Sequence, residues 1–390
     1  MASSSRRHCP SWADFQPELV AVVLGRLPLA DRVRLAAVCR PWRRAARQER
    51  LPLPLPWLIL PDGTFLSVPG GEIHRMPLPD DACCYGSIGN RLLVKRSTGE
   101  LSLLDPFSKH AVVRIPEEAY PPPHSISVKP VLLSTLNRDL CLFPDSPIAM
   151  LITDSSLKSL ISICQPGNAA AFGVPDGQLV SDVAFFDGKL YAISANKLFV
   201  IETGWGHKGN IAVVPSMKLI ADAVDKPRLI CREIAGKMHT CAYWSYLAES
   251  RGKLLHVKRL VGYLSTLKDD RVRNSRTISF EVFEADLMST TNNPRVKWRR
   301  VHDLGGQALF VSTHSESRSL PASECGGQED CIYFACDYDH GNCGPDPLRD
   351  CGVFDMRSGR ITPLLLPDTV AVQRQGCKGR PAWFFPTKKV

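Results

Sequence analysis

Short stretches of alternating apolar and polar residues recur from residue 57 to the end of this chain, with no long helical pattern between them. Turn residues bound the stretches, as at Ser97–Gly99 within residues 90–106 and at Asp187-Gly188 within residues 184–202. Such alternation is typical of half-buried strands joined by hairpins. The pairs return about every 40 to 50 residues, which favours a β-propeller of about six or seven blades over a sandwich.

The pattern continues to the C-terminus, in residues 249–260, 277–287, 329–337 and 351–364. A propeller removes its exposed sheet edges by pairing its first and last strands in one blade. The candidates for this pair are Trp57–Leu60 and Ala382–Phe385. We therefore predict that residues 57–390 fold as one closed all-β unit in which these two stretches pair.

Before residue 51 the apolar residues follow the period of a helix instead. In the first predicted helix Pro17 suits the first position and Glu18 suits the positive end of the helix dipole, while Pro28 ends the helix. Apolar residues cover more than half of its circumference: Leu19, Val20, Val22, Val23, Leu24 and Leu27. So wide an apolar arc on a short helix must be covered on two sides, and one of these covers would be a partner.

A second helix is predicted to follow, with Asp31 as its N-cap. Its apolar residues fall within about 60° of one line along the helix, and they are Leu35, Val38, Cys39, Trp42 and Ala46. The opposite side carries Arg40, Arg43, Arg44 and Arg47. Pro41 lacks a backbone donor and is expected to bend or interrupt the helix. Taken alone, the pattern also fits a core stripe with a solvated basic face.

Positive charge is concentrated in this helical segment. The first 50 residues hold ten arginines and four acidic residues, a net charge of +6 out of +9 for the whole chain. This indicates an acidic partner for the segment more than a general coating of nucleic acid. A nucleic-acid-binding regulator is the alternative, but the second helix lacks the Asn and Gln with which recognition helices tend to contact bases.

The sequence LPLPLP at 51–56 holds three prolines in six residues and is predicted to be a stiff linker. We place the domain boundary there. The predicted organisation is a disordered N-terminus at 1–10, a helical domain at 11–50, the linker at 51–56 and the β domain at 57–390.

The fourteen cysteines are expected to be free thiols, because no secretory signal is visible. No apolar run approaches the roughly 20 residues of a membrane-spanning helix. This predicts a location in the cytoplasm and/or the nucleus. The densest group is Cys325, Cys331, Cys336, Cys343 and Cys351. It contains no C-x-x-C pair, so no metal site is predicted. Cys331 and Cys336 are expected within one strand as small apolar residues.

Two short motifs imitate ligand sites. GWGHKG at 204–209 fits a dinucleotide-binding pattern, but a strand follows where the helix should be. DYDHGN at 337–342 begins like a calcium loop, but its glycine is one position early and Leu348 stands at the twelfth position. No catalytic motif is found, and no cofactor is predicted.

The helical segment resembles an F-box. The residues that carry the resemblance are Pro17-Glu18-Leu19, Leu27 with Asp31, and Val38-Cys39-Arg40-Pro41-Trp42-Arg43. The remainder resembles the C-terminal region of a large plant group of F-box proteins, the KIB-type β-propeller family. The matching pieces, in order, are residues 104–108, FFDGKLYAI, FEVFEADL, 296–312, CIYFACD and 381–386.

This resemblance implies a substrate receptor of an SCF-type cullin–RING ubiquitin ligase, and not an enzyme. The F-box would bind a Skp-family adaptor and through it a cullin, and the propeller would recruit a target protein for ubiquitination. No nucleic-acid or membrane partner is implied. The adaptor-binding residues would be Pro17, Leu19, Val22, Leu27, Leu35, Val38, Cys39 and Trp42. A propeller-fold enzyme with a vestigial F-box is a further alternative, since propellers also host enzymes.

Overall fold

A computed structural model describes most of the chain. The described residues are 16–27, 35, 38–48, 56–68, 73–75, 78–106, 112–121, 125–134, 146–165, 168–174, 179–194, 197–202, 216–222, 229–234, 237–263, 275–287, 296–338, 348–364 and 380–385. Several predicted features lie outside them: the N-terminus 1–10, the N-cap Asp31, most of the linker 51–56, GWGHKG and Cys343.

Two helices precede the strands. α1 spans Pro17–Arg26, with proline in its first turn, and it ends where the Leu27 N–H donates to the Leu24 carbonyl at 3.2 Å. α2 spans Arg40–Gln48. Helical backbone is also present at Leu35 and Val38, but Cys39 between them and α2 is not helical. The predicted interruption therefore lies just before Pro41, which sits in the first turn of α2, where a missing N–H costs no hydrogen bond.

The first sheet joins the two ends of the β domain. Its strands are β1 (Trp57–Ile59), β2 (Thr64–Ser67), β3 (Ile73–Arg75) and β26 (Ala382–Phe384). β26 pairs antiparallel with β1, and the partners are Trp57 with Phe384, Leu58 with Trp383, and Ile59 with Ala382. The predicted pairing of the first and last strands is confirmed. It covers one edge of β1.

Three further sheets each contain four consecutive antiparallel strands. The second sheet has β4 (Ala82–Ile88), β5 (Arg91–Arg96), β6 (Leu101–Leu104) and β7 (Val112–Arg114). The third has β8 (Ser125–Leu132), β9 (Ile148–Asp154), β10 (Ser159–Gln165) and β11 (Asn168–Gly173). The fourth has β12 (Val180–Phe186), β13 (Lys189–Ser194), β14 (Lys197–Glu202) and β15 (Ser216–Asp222). Asp187 and Gly188 join β12 to β13 with positive φ at both positions, as a tight two-residue hairpin turn requires.

The fifth sheet is larger and has ten strands. They are β16 (Leu229–Ile234), β17 (Lys237–Ser250), β18 (Lys253–Tyr263), β19 (Ser275–Asp286), β20 (Lys297–Val301), β21 (Gln307–Phe310), β22 (Ser317–Pro321), β23 (Cys331–Phe334), β24 (Gly352–Asp355) and β25 (Ile361–Pro363). β17–β20 are antiparallel, and β17 meets β22 through one parallel pairing of two residues. This narrow joint divides the sheet into two groups of strands.

The hydrophobic core is distributed between neighbouring sheets. Six clusters of described residues follow one another, each joining one sheet or group to the next. Representative pairs from the clusters are Phe65 with Val94, Leu93 with Met150, Ile161 with Leu190, Leu198 with Leu254, Phe280 with Ile332, and Tyr333 with Trp383. Because the last cluster returns to the first sheet, the packing forms a closed ring, as expected for a propeller-like domain.

Three details differ from the sequence-based expectations. The β domain includes a short helix, α3 (Ala322–Cys325), and a 3-10 turn at Glu117–Ala119. Cys336 lies beyond the end of β23, so it does not share a strand with Cys331, although both are buried. The chain leaves the ladder after Phe334 because the next residues turn toward a buried arginine. Cys83 is disulfide-bonded, so the expectation of fourteen free thiols was wrong for this residue.

Candidate interaction surfaces

The helical pair buries one apolar face and exposes another. Val20 and Leu24 of α1 are buried, and Leu35 and Trp42 pack against them. These four side chains hold the two helices together. Leu35 and Trp42, which were predicted to bind the adaptor, therefore contribute mainly to the packing between the helices. Both side chains are half-buried by this packing.

Several predicted adaptor-binding residues of the helical pair are exposed. Leu19 and Val22 of α1 are 49% and 54% exposed, and Val38 is 71% exposed. Val23 is comparably exposed and belongs to the same apolar arc, although the predicted site omitted it. Leucine and valine side chains exposed as a group are typical of a binding surface, because burying each contributes about 1.5–3 kcal/mol.

The other predicted adaptor-binding residues are less exposed or have side chains outside the described part of the chain. Leu27 and Cys39 are half-buried. Pro17 starts α1, but its side chain is outside the described part of the chain. Arg40 and Arg44 are exposed on α2 and add positive charge to the helical pair. Exposed charges beside a binding surface mainly steer the encounter with an oppositely charged partner.

In the β domain, the segment Val311–Glu316 connects β21 to β22 and enters the centre of the ring. Three sheets present strands β26, β4 and β8 to it. The Trp383 indole N–H donates to the Val311 carbonyl at 3.0 Å, and the Ser87 N–H donates to the His314 carbonyl at 3.2 Å. The Leu132 N–H donates to Glu316 Oε1 at 2.7 Å. The chain itself therefore fills the axial position among the described residues.

A buried ion pair extends this central contact. Lys129 Nζ lies 2.5 Å from Asp182 Oδ1 and donates to the Ser312 carbonyl at 3.0 Å. The Leu247 N–H donates to the second oxygen of Asp182 at 2.8 Å. Burial raises the pKa of the Asp182 carboxyl to about 6, and the neighbouring charge of Lys129 opposes this rise. One carboxylate thus links strands of the third, fourth and fifth sheets to the axial segment.

A second buried ionic cluster joins the two groups of the fifth sheet. Arg259 on β18 is wholly buried, and its guanidinium lies 3.0 Å from Asp337 and 3.0 Å from Asp350. Asp337 belongs to the calcium-like motif, but its two oxygens accept bonds from Arg259 and Tyr246 and from the Thr313 N–H. Asp337 therefore forms an internal ion pair with Arg259, and this pair accounts for its carboxylate without a bound metal ion.

The cysteine cluster behaves as buried apolar groups. Burial raises the pKa of the Cys331 thiol to about 11, and it also raises the pKa of Cys325, Cys336 and Cys351. These four thiols are free and protonated at neutral pH. Within the described residues no group of His, Cys, Asp or Glu could hold a metal ion. No described helix is long and apolar enough to cross a membrane.

An open groove lies where the fourth sheet meets the two groups of the fifth. Its volume is about 1410 Å³. The fourth sheet contributes the turn at Phe185–Lys189, β18 to β20 contribute a second wall, and Arg318–Glu324 contribute a third. Aromatic and charged side chains both line it, and sequence analysis missed it because its walls come from three distant parts of the chain.

Comparison with known proteins identifies the β domain. A family model described as KIB1-4 beta-propeller matches residues 65–355. The chain belongs to this family. A second model, described as F-box-like, matches residues 17–51, which contain both helices. The closing strands β1 and β26 lie outside the matched range, yet they complete the first sheet.

Curated relatives agree with this assignment. The F-box protein At4g00893 of Arabidopsis thaliana is 29% identical over 118 residues, which are 28% of this chain and 30% of the relative. The F-box protein At3g56470 of the same plant is 30% identical over 24% of this chain and 28% of the relative. The F-box protein At4g12382 is 27% identical over 26% of this chain and 80% of the relative. The matches thus span less than a third of the first two relatives, and the predicted resemblance to plant F-box proteins with a propeller is confirmed.

Proposed function

We propose that this chain is the substrate-receptor subunit of an SCF-type cullin–RING ubiquitin ligase. The observation that carries the proposal is the exposure of the apolar side chains Leu19, Val22 and Val38 within the segment that matches the F-box-like model. These side chains would bind a Skp-family adaptor, and through it a cullin. The positive charge of the first 50 residues suits an acidic adaptor.

The propeller would recruit the target protein. We propose a six-bladed ring, because the four small sheets and the two groups of the fifth sheet make six units and six core clusters join them. The helical segment would be a separate all-α unit at 11–50, joined through the proline-rich stretch 51–56 to the propeller at 57–390. We place this assembly in the cytoplasm and/or the nucleus.

The proposed mechanism is positioning. Holding a target lysine near ubiquitin carried by other subunits raises the effective concentration of the two reactants. The chain itself would supply no catalytic group. The axial segment Val311–Glu316 favours this view over a propeller-fold enzyme, because it fills the position where a central channel would hold a small substrate.

Co-purification with a plant Skp-family adaptor tests the proposal. The full-length chain should form a stoichiometric complex with the adaptor in gel filtration. Replacing Leu19 and Val22 together by aspartate should abolish the complex, because two carboxylates would be buried against an apolar surface. Leu157→Asp is the matched control, since Leu157 is a similarly exposed apolar residue in the turn between β9 and β10, and it should leave the complex intact. Unchanged adaptor binding by the Leu19 and Val22 double variant would refute this interface.

A further inference from the structure

The outermost strand of the third sheet, β11, presents an open edge. It pairs with β10 along its whole length, and among the described residues no strand pairs with its other side. Ala171 and Gly173 are exposed, and a Cβ added at Gly173 would meet no atom within 4 Å. Ala169 is half-buried because it packs against the cluster that contains Ala119 of the 3-10 turn. The edge is therefore accessible around Ala171 and Gly173.

The hydrogen bonds of the ladder show which backbone groups of β11 point outward. The Val174 N–H, one residue beyond β11, donates to the Ser159 carbonyl of β10 at 3.2 Å. In an antiparallel pair, residues that bond to the neighbouring strand alternate with residues whose N–H and C=O point away from it. Counted back from Val174, the outward groups belong to Ala169, Ala171 and Gly173. No described residue forms a hydrogen bond with these groups.

Other strands at sheet edges have features that hinder pairing with a further strand. β3, β7 and β25 are only three residues long. β15 has a register shift and carries Lys218. β20 carries Arg299 and Arg300, and β16 carries Arg232 and Glu233. β11 has six residues, without a charge, a proline or a register shift. Because short strands, charges and bulges protect sheet edges, their absence from β11 indicates an edge that is used for pairing.

We propose that β11 pairs antiparallel with β11 of a second copy of this chain, about a two-fold axis beside Ala171. In this register Ala171 lies opposite its own copy and Ala169 lies opposite Gly173, so every outward N–H and C=O of these three residues has a partner. Their small side chains let the two backbones approach each other. A two-fold axis brings identical residues together, and β11 holds no charge that would face its own copy. This self-complementarity favours a second copy over a strand of another protein.

The contact is small, and this determines how it should behave. Six residues from each copy are far fewer than the roughly 20–30 residues a side of a standard interface, so the dimer should be weak and should dissociate on dilution. The inference goes beyond the proposed function, because pairing at β11 needs no adaptor and the third sheet does not include α1 or α2. A dimeric receptor would present each target-binding surface twice, which raises the apparent affinity for an oligomeric target.

Sedimentation velocity of the purified full-length chain, without adaptor, tests the proposal over a range of concentrations. The average mass should rise with concentration toward twice the monomer mass and no further, because a two-fold contact occupies the edge of both copies. Ala171→Pro removes the outward N–H at the axis and leaves the bonds to β10 intact. The loss of both symmetry-related hydrogen bonds should weaken the dimer at least about fivefold. Leu219→Lys, at an exposed apolar residue of the edge strand β15, is the control and should leave the dimer unchanged.

Charge variants at Ala171 keep the backbone N–H and test the position of the axis. Ala171→Glu should weaken the dimer, because two like charges would lie opposite each other. An equimolar mixture of Ala171→Glu and Ala171→Lys should recover the dimer, since opposite charges then meet across the axis. Hydrogen exchange in a peptide that contains β11 should slow as the concentration of the unmodified chain rises. Thermal melting of each variant reports folding.

The contradicting outcomes are distinct. A chain that stays monomeric at every concentration would overturn the proposal, and so would oligomers larger than a dimer. A dimer that Ala171→Pro and Ala171→Glu both leave unchanged would refute the role of β11. Adaptor co-purification separates this proposal from the receptor function. A monomeric chain that binds the adaptor refutes the strand pairing alone, whereas a chain that dimerises through β11 without binding the adaptor supports the pairing and refutes the ligase role.

Discussion

Arg259 is the buried charge whose removal should cost the propeller most. Its guanidinium lies between Asp337 and Asp350, donates to the Ala335 carbonyl at 2.8 Å, and stacks 4.6 Å from the centre of the Phe334 ring. Its Nε donates to Thr277 at 2.8 Å. Strands β18, β19 and β23 and the segments that follow β23 therefore meet at one side chain. We expect Arg259→Met to destabilise this junction while keeping the length of the side chain.

The expected loss follows from what the substitution leaves behind. Removing one partner of a buried ion pair costs about 3–5 kcal/mol, because the remaining charge is buried without compensation. Here two carboxylates lose their cation. Asp350 keeps bonds from the Thr277 N–H and hydroxyl, and Asp337 keeps those from Thr313 and Tyr246. These retained bonds place the expected loss within that range and not at twice its value, at about 4 kcal/mol.

Urea unfolding of the full-length chain, followed by tryptophan fluorescence, measures the loss as a change in midpoint at constant slope. The variant Arg259→Met/Asp337→Asn/Asp350→Asn removes both orphaned charges and should recover a large part of the stability. A loss below about 1 kcal/mol for Arg259→Met would refute the reasoning. A triple variant as unstable as Arg259→Met would show that packing, and not unpaired charge, is the cause.

Three further perturbations have defined outcomes. Deleting residues 380–390 removes β26 with the wholly buried Trp383, so the whole propeller should melt at a lower temperature, and an unchanged transition would contradict ring closure. Burial, and then the charge of Lys258, lower the pKa of His256 to about 3, so the stability it contributes is complete above pH 6.5 and is lost toward pH 3. The free energy of unfolding measured in urea should therefore fall over that interval by up to about 1.4 kcal/mol per pH unit, and His256→Gln should flatten this slope. Gly86→Ala places a Cβ against the carbonyl oxygen of His314 and should destabilise by about 1–3 kcal/mol, whereas Gly173→Ala, with open space around it, should have little effect in the same assay.

The sequence predicted the ring closure because strand patterns and chain ends are local signals. The stretch Ala382–Phe385 is apolar, short and last, and closure of a propeller needs such a strand beside the first one. The hairpin turn at Asp187-Gly188 was predictable for the same reason, since the two residues alone determine the turn. The apolar arc of α1 likewise predicted exposed apolar side chains, and only its division into inner and outer residues needed the packing of α2.

The axial segment was not predictable, because its contacts join residues far apart in sequence. His314 Nε2 lies 3.4 Å from the Ser127 hydroxyl across 187 positions, and Lys129 reaches the Ser312 carbonyl across 183. Nothing in the polar sequence VSTHSE distinguishes a surface loop from a buried one. The wrong placement of Cys336 in a strand has a related cause. The apolar pattern continues past Phe334, but the strand ends there, and Asp337 beyond it accepts a hydrogen bond from the distant Arg259.

The filled axis also determines where this propeller can discriminate between partners. A central channel would expose polar groups of the surrounding sheets, but here several such groups bond to the Val311–Glu316 segment, and the backbone N–H groups of Ser87 and Trp383 are among them. A partner would have to break these buried hydrogen bonds to enter, and each unsatisfied buried group costs about 1–3 kcal/mol. Contacts outside the axis carry no such cost, because side chains such as Lys253 and Arg299 are already partly hydrated. Under the proposed receptor role, recognition by surface side chains would let the target preference change without disturbing the central hydrogen bonds that hold the ring together.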